Sequence, residues 1–358
     1  MTSGYLILET GEIFEGFFAG NPAETTGEVV FNTGMTGYQE MLTDPSYTGQ
    51  ILVFCYPLIG NYGVNGDDHE SKSISARAVV TGEICASPSF YKVEKTALSF
   101  LEKSGVPCLA GVDTRALVKT IRKRGTVRGL VSTSRDQKVP CGGDEFFVAE
   151  VAIKQPETYG DGPLHIALMD FGYKKSILQY LLDRNCKVTV VPFDFTAKQM
   201  AELAPDGIVI SNGPGDPAKL AEWLPEIKKV SAAYPVLGIC LGHQLLALAY
   251  GAKTKKLPFG HRGGNHPVKD LKTGKVLMTA QNHGYVVDEA SLAGSELELS
   301  FKNVNDGTVE GCIHPDLPVY SVQFHPEAHP GPRDSEYIFD HFLQRVQQRA
   351  GVLSYAIQ

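Results

Sequence analysis

The chain has 358 residues, more than one typical domain holds, and fits two domains that each bury a core. Apolar residues make up 43% and charged residues 20%, as in an ordinary globular chain, and 33 Lys+Arg against 40 Asp+Glu leave a net charge of −7, which argues against nucleic-acid and anionic-membrane partners. No run of ~18 uninterrupted apolar residues exists, and Met1–Glu9 has no basic segment ahead of its apolar run, so neither a membrane span nor a signal peptide is expected. Seven scattered cysteines (55, 85, 108, 141, 186, 240, 312) without a C-x-x-C pair suggest reduced thiols in a cytoplasmic protein, not a disulfide frame or a zinc site.

From the N-terminus, Tyr5–Phe18 alternates apolar and polar residues around Thr10-Gly11, the pattern of a hairpin. Gly27–Phe31, Gln50–Phe54 and Val79–Ile84 are further strand candidates. The stretch Thr33–Gly49 is rich in turn residues, reads as a long binding loop, and carries a Tyr38 expected to be exposed. Thr96–Ser104 reads as a helix stopped by Gly105, and a second helix runs from an Asp113 N-cap to Gly125. The cations Lys119, Arg122, Lys123 and Arg124 suit that helix's C-terminal end, so no nucleic-acid patch is inferred from them. Residues ~134–163, with Gln137–Gly143 and Gln155–Pro163 rich in Pro, Gly and charge, are expected to hold the boundary between an N-terminal domain (1–150) and a C-terminal one (164–352).

Beyond His165 the pattern alternates between strand and helix. Strands are expected at His165–Asp170, Lys187–Pro192, Gly207–Ser211 and Pro235–Ile239, with helices at Lys174–Asp183, Thr196–Leu203 and Pro217–Ala232 between them. Continuous apolar strands separated by helices predict a parallel sheet with ligands at the carboxyl ends of its strands. Val276–Thr279, Val309–Ile313 and Val319–Phe324 are later strand candidates, Asn282–Tyr285 reads as a glycine turn between strands, and Ser335–Arg349 as a closing helix. The fold class is therefore α/β, a C-terminal doubly wound, mostly parallel sheet preceded by a smaller mixed β/α domain.

One of those carboxyl ends carries Gly238-Ile-Cys240-Leu-Gly242-His-Gln244, a strand, a tight turn and a helix. Such an elbow is expected to leave the Cys240 sulfur exposed near the positive end of a helix, where the thiolate is favoured and peptide N–H groups face an oxyanion. The competing reading is a cysteine buried on a core strand. Ser211-Asn-Gly213-Pro-Gly215-Asp-Pro-Ala218 matches the dinucleotide fingerprint G-x-G-x-x-A, but it follows the third strand instead of the first and Pro214 lacks an N–H for a phosphate. No phosphate loop of the form G-x-x-x-x-G-K-[ST] occurs, so any ATP chemistry belongs to a partner. In Phe324-His325-Pro-Glu327-Ala-His329-Pro330 a strand ends at His325, and Glu327 stands close enough to bond one imidazole nitrogen. Pro326 and Pro330 interrupt any zinc-protease helix, and His261, His266 and His329 lack ligand spacing, so no metal is expected.

Together these three motifs resemble the class I, triad-type glutamine amidotransferases. The first half narrows the resemblance: Asn32–Glu40, Thr43–Tyr47, Tyr56–Gly63 and Val112–Arg115, with Gly263–Val268 and His329–Pro332 further on, are similar to the small, glutamine-hydrolysing chain of carbamoyl-phosphate synthase. The resemblance covers essentially the whole chain. It implies Cys240 as nucleophile, His325 as general base and acid, Glu327 as the group that orients His325, and a flavodoxin-like amidotransferase domain. It further implies that L-glutamine is held by Ser46, Gly213, Gly215, Leu241, Gln244, Asn282, Gly284 and Tyr285, Ser46 bringing in the N-terminal domain. Phe is commoner in the family where Tyr285 stands, and Ser where His329 stands. No cofactor is implied on this chain; ATP with magnesium is expected on a large synthetase partner, which takes up the ammonia and makes carbamoyl phosphate for arginine and pyrimidine synthesis. An amidotransferase serving another synthetase lacks the N-terminal motifs, and a non-catalytic scaffold with this fold has no chemical need for Cys240, His325 and Glu327 together.

Overall fold

The computed structural model describes residues 2–142 and 145–356; Gly143, at the end of one expected linker stretch, lies outside them. The chain forms two compact units, Met1–Phe147 with Leu257–Gly263, and Val148–Lys256 with Gly264–Gln358.

In the first unit seven strands close into a barrel in the order Thr2–Leu8, Ile13–Ala19, Cys108–Ala110, Ala78–Val80, Gln50–Phe54, Thr25–Asn32, Val127–Ser132. The first two form the expected hairpin, with Gly11 at φ 95° in its turn. Inward residues such as Leu6, Val29, Ile51, Val53, Leu109 and Val131 fill the interior as one apolar cluster, which is what holds the barrel closed. Helix Thr114–Arg124 begins at the predicted cap, where Asp113 accepts from the Ala116 N–H at 2.9 Å, and ends at Gly125 with φ 90°. Two expectations are corrected here. Thr33–Gly49 is not a plain loop, since it contains the helix Tyr38–Thr43 and the 3-10 turn Pro45–Tyr47, and Tyr38 is buried. Its ring stacks on Tyr62 with centroids 4.2 Å apart and its hydroxyl donates to the Gly63 carbonyl, which gives the polar end a partner inside the protein. Val79–Ile84 is likewise two strands, Ala78–Val80 in the barrel and Glu83–Ile84 paired with Leu58–Ile59.

The second unit is built on a ten-stranded sheet. Its parallel strands lie in the order Cys186–Pro192, Leu164–Asp170, Gly207–Ile210, Val236–Ile239, Val319–Val322. Numbered along the chain, that order is 2-1-3-4-5, the flavodoxin-like arrangement. Their apolar runs, all but continuous as expected for strands buried on both faces, form the core with Ile177, Leu181, Phe339 and Phe342. Helix Ala197–Leu203 starts at a complete capping box between Thr196 and Gln199. The expected helix Pro217–Ala232 is a 3-10 segment, Pro217–Trp223, itself kinked at Leu220, followed by the helix Leu224–Ala233. The closing helix spans Tyr337–Ala356.

Antiparallel strands extend this sheet beyond the sequence reading. Glu157–Tyr159, inside an expected linker, pairs with Cys186–Pro192, and the Ile153 N–H donates to Asp170 at 2.7 Å, tying this stretch to the second unit. Thr254–Asp270 and Glu298–Asn303 are strands whose mixed polar composition hid them. Asn282–Tyr285 is not a turn but the interior of the strand Val276–Val287. Among the described residues no helix is long and apolar enough to cross a membrane.

Candidate active site

Five parallel strands end on the same edge of the second unit's sheet, and four of those ends lead into the candidate site. The strand Val236–Ile239 runs into helix Leu241–Ala249 with Cys240 alone between them, at φ 53° and ψ −101°. A non-glycine residue at such a φ is strained, and the surroundings must hold it there. They do so by close approach. A Cβ on Gly242 would lie 2.1 Å from the Ile210 carbonyl oxygen, and one on Gly238 would lie 2.6 Å from Leu246 Cδ1. The flanking glycines thus let the helix sit tightly on the strands, while the strained turn itself falls on the cysteine. The Cys240 N–H donates to the Val322 carbonyl at 2.9 Å, and the Gly242 N–H to that of Ser211 at 3.0 Å.

The sulfur is not exposed as the elbow pattern predicts, since Cys240 is only 2% accessible. The strand Val276–Val287 covers it, pinned to the end of the fifth parallel strand by a His325 N–H to Ala280 carbonyl bond of 2.9 Å. The sulfur lies 3.8 Å from the Asn282 carbonyl oxygen and 3.7 Å from Gln323 Nε2.

His325 Nδ1 and Glu327 Oε1 are 2.6 Å apart and both residues are buried. Lys174, at the mouth of the first parallel strand, completes the cluster: its Nζ lies 3.1 Å from the same Oε1 and donates to the Ala328 carbonyl at 2.7 Å. Burial alone would raise the Glu327 carboxyl; Lys174 and then His325 outweigh it and hold its pKa down at about 2. Burial likewise opposes a charged imidazole at His325, yet the charge of Glu327, then the hydrogen bond and charge of the Cys240 sulfur, raise its pKa to about 10. The carboxylate takes Nδ1, which leaves Nε2 for the sulfur and its reaction partner. His243, the other histidine of the elbow motif, is different: burial pushes it down to about 3, and its Nδ1 meets Ser321 Oγ at 2.9 Å, so it is a neutral packing residue.

A cysteine at a helix start, with an imidazole bonded to a buried carboxylate, is the set of groups that acyl-transfer chemistry needs. Comparison with known proteins agrees with that chemistry. Residues 167–345 match the family described as glutamine amidotransferase class-I, and residues 6–131 match the carbamoyl-phosphate synthase small chain, CPSase domain. The arginine-specific carbamoyl phosphate synthase small chain of Bacillus subtilis (strain 168) is 54% identical over 343 residues, covering 96% of this chain and 97% of its own. The carbamoyl phosphate synthase small chain of Listeria monocytogenes serotype 4b is 49% identical over 357 residues, 97% of each chain. The chain belongs to the carbamoyl-phosphate synthase small-chain family. It is the glutamine-hydrolysing subunit of such a synthase, and its amidotransferase half is the second unit.

Several positions that the small-chain resemblance assigns to glutamine surround Cys240. A Cβ on Gly213 would lie 2.1 Å from the Phe171 carbonyl oxygen and 2.9 Å from Leu241 Cδ2, so this loop packs directly on the residue after Cys240. Gly215 takes φ 93°, and Asp216 caps the following turn by accepting from the Ala218 N–H at 2.9 Å. Gln244 Nε2 donates to the Tyr285 carbonyl at 2.8 Å and to Gln323 Oε1 at 3.0 Å. Tyr285 thus contributes its backbone, a contact indifferent to the Phe that is commoner there. Asn282, whose carbonyl faces the sulfur, and Gly284 lie on the same strand. Ser46 belongs to the first unit, where its N–H donates to Asp44 Oδ1 at 2.9 Å. His329 has φ 40° and its ring meets Tyr180 edge-on, with centroids 6.4 Å apart.

Two neighbours of the reacting groups escaped the sequence reading. Lys174 was legible only as the start of a helix, although it follows a parallel strand on the ligand-binding edge. Gln323 carries a plainer signal, because the two-residue period of extended chain puts it on the same face as His325.

Proposed function

We propose that Cys240, His325 and Glu327 hydrolyse L-glutamine through a glutamyl thioester, and that the ammonia passes to a large synthetase subunit. The observation that carries this reading is the buried His325–Glu327 pair, 2.6 Å between Nδ1 and Oε1, beside a cysteine held at φ 53°.

With the proton of the Cys240–His325 pair held on His325 Nε2, the negative Cys240 sulfur attacks the side-chain carbonyl carbon of glutamine. The oxyanion is received by the Leu241 N–H and an N–H of the Gly213–Gly215 loop; losing one such donor typically costs ~3 kcal/mol in the barrier. His325 returns the proton to the departing nitrogen, the C–N bond breaks, and ammonia leaves behind the thioester. The same imidazole then takes a proton from water, whose oxygen attacks the thioester carbonyl, and the sulfur departs to release glutamate. Glu327 keeps Nδ1 occupied throughout and stabilises the imidazolium between transfers. Ser46, Gly213, Gly215, Leu241, Gln244, Asn282, Gly284 and Tyr285 are the proposed glutamine-binding set.

Ammonia released to bulk water becomes ammonium and is no longer a nucleophile. Direct transfer to the large chain, where bicarbonate and two ATP complete carbamoyl phosphate in the cytoplasm, avoids that loss. The test is Cys240→Ser in the complex with the large chain. Glutamine-fed synthesis is expected to vanish while ammonium-fed synthesis continues, and loss of both would refute the division of labour.

A further inference from the structure

Besides His325, the sulfur of Cys240 faces two polar groups, the Asn282 carbonyl and the side-chain amide of Gln323. Gln323 is fully buried in the segment between the fifth parallel strand and His325, and its backbone N–H is committed to the Glu310 carbonyl at 2.9 Å. Its side-chain orientation follows from a chain of bonds with one possible polarity. The Tyr285 carbonyl only accepts, so the Gln244 end facing it, at 2.8 Å, is the donating Nε2. That nitrogen lies 3.0 Å from the Gln323 amide, whose near atom must then be Oε1. The NH2 group of Gln323 is therefore turned to the sulfur, 3.7 Å away.

We propose that Gln323 is a further catalytic residue, whose amide N–H stabilises the negative sulfur of Cys240 both before attack and when the thioester releases it. The inference rests on the thioester reading above and adds a group to it. The need for such a donor is visible in the other contact of the sulfur. The Asn282 carbonyl oxygen, 3.8 Å away, suits a thiol that donates and repels a thiolate. An N–H on the other side counters that repulsion. It is a weak bond to a neutral thiol and strengthens as charge develops, so it favours the reacting state over the resting one. Through Gln244 the same amide is tied to Tyr285, so sulfur position and the strand beside the substrate are set by one network.

The test uses the full chain, alone and with its large partner, carrying Gln323→Met, which keeps length and bulk but removes the donor, or Gln323→Asn, whose amide is too short to reach. Chloroacetamide alkylation is followed cysteine by cysteine, with exposed Cys141 as internal reference and buried Cys186 and Cys312 as reporters of folding. In both variants Cys240 is expected to react about tenfold more slowly at neutral pH, with its pH profile displaced upward and Cys141 unchanged. Glutamine hydrolysis should show about the same tenfold loss in kcat with KM little changed. Should Gln323→Met label at Cys186 and Cys312, the Gln323→Asn chain decides alone. Parental alkylation rates and pH profile in a folded variant overturn the proposal. Alkylation needs no glutaminase activity, so a parent chain that fails to hydrolyse glutamine counts against the thioester reading while the labelling still decides Gln323.

Discussion

Lys174 and Glu327 form an ion pair of 3.1 Å with both side chains all but sealed from solvent, 3% and 0% accessible. Such a pair contributes little net stability when intact, but removing one partner strands a charge in the interior, at a typical cost of about 3–5 kcal/mol. Glu327→Gln should therefore lower the denaturant midpoint as well as the activity, since the amide neither orients His325 as an acceptor of fixed polarity nor balances Lys174. A glutaminase kcat at least a hundredfold below the parent is expected, by analogy with the loss of the carboxylate in other triads. Lys174→Met leaves Glu327 as the stranded group and should destabilise to a similar degree. Urea titrations read alongside glutamate release check both, and a parental midpoint in either variant would show that the pair is not what holds this corner together.

The same cluster makes stability depend on pH at both ends of the scale. Glu327 is lowered from 4.5 to about 2 on folding, so its contribution is complete above pH 4.5 and is lost as pH falls from there toward 2. His325 is raised from 6.5 to about 10, so its contribution is complete below pH 6.5 and is lost as pH rises toward 10. Melting temperatures of the parent should fall on both sides of the interval from 4.5 to 6.5. In Glu327→Gln the acid slope should flatten, and the alkaline slope should flatten with it because the partner that raised His325 is gone. Equal slopes in parent and variant between pH 6.5 and 10 would remove Glu327 as the cause.

Much of this was legible in the sequence, and the remainder was hidden for identifiable reasons. Four of the five parallel strands announced themselves because strands buried on both faces are continuously apolar, and Cys240 stood out because it directly follows one of them, whereas Val319–Val322, with its Ser321, read only as a strand leading toward His325. Thr254–Asp270 and Glu298–Asn303 were missed because antiparallel strands with partly exposed faces carry lysines and glutamates that read as loop. Asn282–Tyr285 looked like a turn on composition, yet it lies inside the strand Val276–Val287, with the Asn282 and Tyr285 carbonyls toward the site. Lys174 and Gln323 were passed over for a different reason. Their importance comes from which partners the fold brings to them, from residues about 80 to 150 positions away along the chain.

The strained backbone of Cys240 is maintained by space that only glycine leaves free, and this yields the sharpest structural prediction. Gly242→Ala puts a methyl carbon 2.1 Å from the Ile210 carbonyl oxygen, which belongs to a central strand and has no room to retreat. The helix must therefore lift away from the sheet, breaking the 3.0 Å bond from the residue 242 N–H to Ser211 and displacing the Leu241 N–H that the mechanism assigns to the oxyanion. Overpacking of this kind costs about 1–3 kcal/mol, so the variant should still fold. Its catalytic loss should exceed its loss of stability, because a shift of about 1 Å in positioned groups is enough to cost a hundredfold in rate. Comparing the denaturant midpoint with the kcat for glutamine separates the two effects. A folded Gly242→Ala enzyme with parental kcat would show that the elbow tolerates displacement and that the close packing serves the fold alone.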